Sequence, residues 1–201
     1  LSTLVTRINA EIEKNNYSMI LSINSAGSAI EKFKRFQVDG IILFEENDSE
    51  LDSTYSPNLP IISYGVGNHL RSIPFIDVNY RKAMDLAVEY LFNLGHRDIA
   101  YVGDFSIGDP RQTEKYNGFI EVMKKYNLPL NSYSLINTGG LYWYNGYTAT
   151  NRLLESPTIP TAIIGGSYDI SSGIIRALKE ADFIIPKDIS VIGYDNIPQM
   201  A

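Results

Sequence analysis

Apolar residues recur along this chain in two alternating rhythms. Leu1, Leu4, Val5, Ile8 and Ile12 fall at i, i+3, i+4, i+7 spacing, which predicts a helix over 2–15 with one apolar stripe. Residues 18–23 then read as a strand. Ala29, Phe33 and Phe36 predict a short helix that Gly40 ends before an apolar strand over 41–44. Residues 60–64 and 73–76 read as two further strands. Asp77 or Asn79 can cap a helix running to about Leu94, its buried face being Ala83, Ala87, Leu91 and Leu94, with Gly95 as the stop. Strands are expected at 99–103, 133–136, 161–165 and 189–194. Helices over 112–126 (Tyr116, Phe119, Ile120, Met123) and 146–155 fall between them, as does a stripe of Ile170, Ile174, Ala177, Leu178 and Ala181.

Such alternation predicts an α/β fold of parallel sheets covered by helices on both faces. It looks doubled, with a change of unit near 94–98. Ligands of such folds bind beyond the carboxyl ends of the strands. The informative residues are therefore those that follow each strand: Glu45 and Glu46, Gly65 to Asn68, Asp104 to Arg111, Gly139 to Tyr144, Gly166 to Asp169, and Asp195 and Asn196.

Composition narrows the chemistry. The 201 residues are 44% hydrophobic, enough for one large core or two modest ones. The net charge is −6, from 17 Lys+Arg against 23 Asp+Glu, and no basic block stands out to grip a phosphate backbone. These residues are not expected to bind DNA tightly by themselves. With no cysteine and only two histidines, thiolate and His-rich metal sites are excluded, and no metal or cofactor is expected. No apolar run approaches a membrane span. Residues 1–10 lack the basic start and apolar run of a signal peptide, and the chain is expected to open in mid-domain.

Five short stretches resemble the LacI/GalR (lac repressor) family of bacterial transcription regulators, in its effector-binding domain. They are Val38-Asp39-Gly40-Ile41-Ile42, Leu94-Gly95-His96-Arg97-Asp98-Ile99-Ala100, Asn117-Gly118-Phe119, Pro160-Thr161-Ala162-Ile163, and the run from Ile185 to Asp195. The resemblance covers nearly the whole chain in family order. It implies a two-lobed periplasmic-binding-protein-like (type I) fold, each lobe a parallel sheet flanked by helices, with an N-terminal lobe over 1–95 and a C-terminal lobe over 96–201. By comparison with the family, the chain is expected to be incomplete at both ends. The helix-turn-helix head and the first strand would precede Leu1, and a final crossover would follow Ala201.

Site residues follow from the same resemblance. The family clamps polar effector groups with an Arg on the helix before its Gly-Phe pair, and Lys115 holds that position here. Arg111 lies a turn earlier, in a loop expected to face the cleft; both cations can equally be read as solvated charges near a helix N-terminus. Asp195 matches a cleft-facing carboxylate that would accept from a sugar hydroxyl or amine, or else is a turn residue. Trp143, between Tyr142 and Tyr144, offers a face for stacking on a sugar or base, though strict spacing from Gly146 puts Leu141 there, and lobe packing is the alternative. Ser167 and Tyr168 replace the family's Asn-Asp, so effector identity does not transfer. Glu45 and Glu46 read as a solvated loop, Asp77 as a cap, and His96 as structural. Gly65-Val66-Gly67 lacks the completion of a phosphate loop.

The expected function is ligand sensing. A small effector, a sugar or related polar metabolite, would bind in the interlobe cleft and control a DNA-binding head outside this sequence, in a cytoplasmic homodimer with the stripe of the first helix as candidate interface. An extracytoplasmic sugar-binding protein of a transport system shares the fold and is the rival. No nucleophile elbow, acid/base pair or metal set supports an enzyme.

Overall fold

A computed structural model describes residues 2–44, 59–65, 73–106 and 108–195. Glu45, Glu46, Val66, Gly67, Asn68 and Asn196, all weighed from the sequence, lie outside the described residues. The chain forms two compact units, residues 1–78 and 79–201.

In the first unit, α1 (Ser2–Lys14) and α2 (Ala26–Arg35) precede three parallel strands, β1 (Ile41–Leu43), β2 (Ile61–Tyr64) and β3 (Phe75–Ile76), paired in the order β1-β2-β3. Ala26, Ala29, Ile30 and Phe33 of α2 close over Ile41, Leu43, Leu59, Ile61 and Ile73 as one core. Residues 18–23 do not form the expected strand. Ile20, Leu21 and Ile23 are exposed, and a strand is held by a neighbour's ladder that no described segment supplies here. The stripe of α1 is only partly covered at Leu4, Val5, Ile8 and Ile12, and none of these joins the core.

The second unit is a four-stranded parallel sheet ordered β5-β4-β6-β7, from β4 (Ile99–Gly103), β5 (Leu135–Asn137), β6 (Ala162–Gly165) and β7 (Ser190–Ile192). Alternate residues along its central strands enter opposite cores. Ile99, Tyr101, Ala162 and Ile164 meet α3 (Tyr80–Asn93) and α4 (Pro110–Lys125). Ala100, Val102 and Ile163 meet α5 (Trp143–Leu154) and α6 (Tyr168–Glu180). Both central strands are thus apolar throughout, as a sheet covered on two faces requires.

The boundary between units differs from the 95/96 junction read from the sequence. Helix α3 belongs with the second unit because Met84, Val88 and Leu91 are buried against Phe119, Val122 and Met123 of α4. The buried face of α3 is also rotated from the expected one: Leu94 is exposed, and Ala83 and Ala87 are only partly covered. Bulk decides this, since Met and Val bury more apolar area than Ala. Asn79 caps the helix, its side chain accepting from the Lys82 N–H at 2.9 Å, while Asp77 accepts from its neighbour Val78. Gly95, at φ +96°, ends it in the left-handed conformation, with the His96 N–H returning to the Leu91 carbonyl.

Candidate functional site

The carboxyl ends of β4, β6 and β7 bring five of the six nominated side chains to one place. Helix α4 starts earlier than the apolar stripe suggested, because Asp109 caps it by accepting from the Arg111 N–H at 2.9 Å and Pro110 takes the first position. Arg111 is therefore helical and not in a loop. Its guanidinium folds back on Asp109 in a fork, Nε to Oδ1 and Nη2 to Oδ2, both 3.1 Å. Burial raises the Asp109 carboxyl, but the hydrogen bonds from Arg111 outweigh it and hold the group below the ordinary range.

One turn on, Lys115 points inward. It is 5% exposed, and its Nζ donates to the Gly166 carbonyl at 2.8 Å. The Tyr194 ring lies 4.2 Å from that ammonium and the Tyr80 ring 5.3 Å, both within cation–π reach. Burial pushes the Lys115 amine down to about 8, partly offset by Asp195 and Asp109. A side chain read as an effector clamp or a solvated charge is a buried strut between α4 and the loop after β6.

That loop is held from two more sides. Ser167 caps α6 by accepting from the Ile170 N–H at 3.3 Å, and the Asp195 carboxylate accepts from the Tyr168 N–H at 3.3 Å. Asp195 itself is left-handed, at φ +73°. Tyr168 is half-buried at the first position of α6.

Trp143 does not join this group. It opens α5, is 43% exposed, and packs under the Arg176 guanidinium at 5.0 Å and edge-on to Tyr147. Leu141, at 36% exposed, lies two residues ahead of it.

Sequence reasoning missed Tyr101. Its ring stacks on Phe119 in the core, and its hydroxyl reaches the end of the sheet between Gly103 and Gly166. A Cβ on either glycine would stand 2.5 or 2.6 Å from that oxygen. The hydroxyl is buried and has no hydrogen-bond partner among the described residues, as is also true of Gln112 Oε1. Burial, then Tyr194 and Asp104, drive the phenol above its ordinary value. The signal lay in a tyrosine placed in an otherwise aliphatic strand with glycine two residues on.

His96 is structural, bridging Thr161 Oγ1 at 2.9 Å and Ser190 Oγ at 3.0 Å. A depression of about 440 Å³ opens beside it, lined by Arg97, Asp98, Lys187 and Asp188 among others. It lies at the amino ends of the strands, where both ring nitrogens are already used, so the strand carboxyl ends remain the candidate site. Among the described residues no His, Asp and Glu cluster could hold a metal.

A parallel sheet whose polar groups gather at the strand ends is the architecture of periplasmic-binding-protein-like domains. The profile of that family, described as periplasmic binding protein-like domain, matches residues 88–201, more than half of the chain, and the chain belongs to that family. It is 28% identical over 162 residues to catabolite control protein A of Priestia megaterium, covering 80% of this chain and 48% of that protein. It is 32% identical over 167 residues to the HTH-type transcriptional repressor PurR of Glaesserella parasuis, covering 80% and 47%. The second of these relatives is by name a transcriptional repressor. The chain spans about half the length of the curated relatives it matches.

Solved structures share the fold. A LacI-family regulatory protein from Chloroflexus aggregans superposes with a TM-score of 0.84 at 24% identity, over 97% of this chain and 72% of that one. A LacI-family regulator from Lactobacillus casei with bound sucrose gives 0.77 at 22%, over 98% and 75%.

Proposed function

We propose that this chain is the effector-sensing part of a LacI-type transcription regulator. A small polar metabolite, a sugar before other classes, binds at the carboxyl ends of the second unit's strands and controls operator binding by a DNA-binding head of the full-length protein. The observation that carries this reading is the loop after β6, held by Lys115 from one side and Asp195 from another. A ligand that engages Asp195 competes for the carboxylate that holds the Tyr168 N–H, so occupancy can favour one conformation of the loop and of α6 over another. Such a shift is limited by the ligand's differential affinity for the two states.

The repressors among the relatives favour a regulator, which we read as a cytoplasmic homodimer, over a transport binding protein. The bound sucrose of the Lactobacillus casei protein favours a sugar. Arg111, Lys115, Ser167, Tyr168 and Asp195 form or brace the site, and Trp143 borders it at most.

The test uses the full-length protein, with thermal shift and an operator-binding assay run in parallel against a metabolite panel. A compound that raises Tm and changes operator affinity, with both effects reduced by Asp195→Ala, supports the reading. Turnover of a compound, or a ligand response unchanged by Asp195→Ala and Arg111→Ala together, sinks it.

A further inference from the structure

We infer that the effector is a neutral or cationic hydroxyl-bearing molecule, and that this site rejects sugar phosphates and sugar acids. The inference rests on the effector-site reading above and narrows it.

Arg111 and Lys115, the nominated cations among the described residues, are both engaged within the protein. Arg111 is forked onto Asp109, and Lys115 is buried against the Gly166 carbonyl beneath the Tyr194 ring. Carboxylates outnumber them at the same end of the sheet. Asp104 follows β4, Asp169 lies in the first turn of α6, and Asp195 follows β7. Among the described residues, no cation stands within ion-pair distance of these three. Carboxylates only accept hydrogen bonds. Among the described residues, a phosphate or carboxylate entering here would meet like charge and no uncommitted guanidinium or ammonium. Hydroxyls and amines, as donors, suit Asp104 and Asp195.

The floor of the site gives an independent indication. The Tyr101 hydroxyl is fully buried, aimed between Gly103 and Gly166, and has no partner among the described residues. Its remaining hydrogen-bonding capacity is neutral, and it matches a hydroxyl or a water that accompanies one. An anion would need the converging charged donors that this floor lacks.

The experiment measures binding to the full-length protein by calorimetry and thermal shift. The probes are sets of one sugar skeleton in four charge forms: the free hexose or pentose, its amino sugar, its phosphate and its uronic acid, with inorganic phosphate alongside. The expected result is binding by neutral or amino forms. The matching anions should be at least ~30-fold weaker, with that gap narrowing in Asp195→Asn. A phosphate or uronate that binds more tightly than its neutral counterpart, and loses that advantage in Arg111→Ala, overturns the inference while leaving the sugar sensor standing. Silence across every charge form would overturn the sugar reading itself, and this inference with it.

Discussion

Lys115 Nζ and the Gly166 carbonyl meet at 2.8 Å across 51 residues of sequence, joining α4 to the loop after β6. The ammonium is nearly enclosed, and this contact explains why a cation is tolerated there. It satisfies a carbonyl at a strand end while two tyrosine rings cover the charge.

Enclosure makes Lys115 visible in the pH dependence of stability. Its folded value of about 8 lies below the ordinary 10.5, so the unfolded chain holds the proton more tightly. Stability then rises with pH between the two, by roughly 2 kcal/mol from pH 8 to 10. Tyr101 works in the opposite direction above about pH 10, because its folded value is raised and its contribution fades as the unfolded phenol ionises. Denaturant melts of the wild type should therefore show a rise and then a turn. A Lys115→Met variant should lose the rise, and a slope that persists in it would assign the titration to another group.

Tyr101→Phe removes a buried hydroxyl that lacks a described partner. The variant should be as stable as the wild type, or more stable by about 1 kcal/mol, since no hydrogen bond is lost. Chemical denaturation decides it. A loss of more than about 1 kcal/mol would mean that the hydroxyl is satisfied by a bound water.

Gly173 and Gly146 let α5 and α6 approach until their backbones nearly touch. A Cβ on Gly173 would strike the Trp143 carbonyl and come within 2.5 Å of the Tyr147 nitrogen, and one on Gly146 would meet the Ile170 backbone. Gly173→Ala should cost about 3 kcal/mol or more, because rigid backbone cannot move aside as a side chain can. A urea midpoint within error of the wild type would show that the helices separate freely.

His96 links the residue before β6 to the first residue of β7 through two hydroxyls, and burial holds its pKa below the ordinary 6.5. The unfolded chain takes up its proton first as pH falls. The contribution of His96 is complete above about 6.5 and declines below it. Melts between pH 7 and 5 should show a loss that His96→Gln reduces; an identical loss in the variant would place the titrating group elsewhere.

Much of the second unit was legible because each periodic segment there pairs with another in the same chain. The apolar residues of β4 and β6 and four of the five stripe positions of α6 forecast their burial correctly; Ala181, just past the end of that helix, is exposed. Residues 18–23 failed because a strand's existence depends on a neighbour, which alternation within one segment does not reveal. Helix α4 began early because a capping carboxylate and a proline overrode the apolar stripe as the start signal.

The sequence by itself determined the alternation of strands and helices and which loops would lie at the strand ends, since these follow from local period and spacing, and its short motifs carried the family resemblance. Only the tertiary structure decided what the charges in those loops do. Whether Lys115 meets a ligand or a carbonyl, whether Arg111 is spent on Asp109, and whether Tyr101 finds a partner depend on groups brought together from distant segments. Burial and charge balance are properties of that assembled environment and not of any one residue.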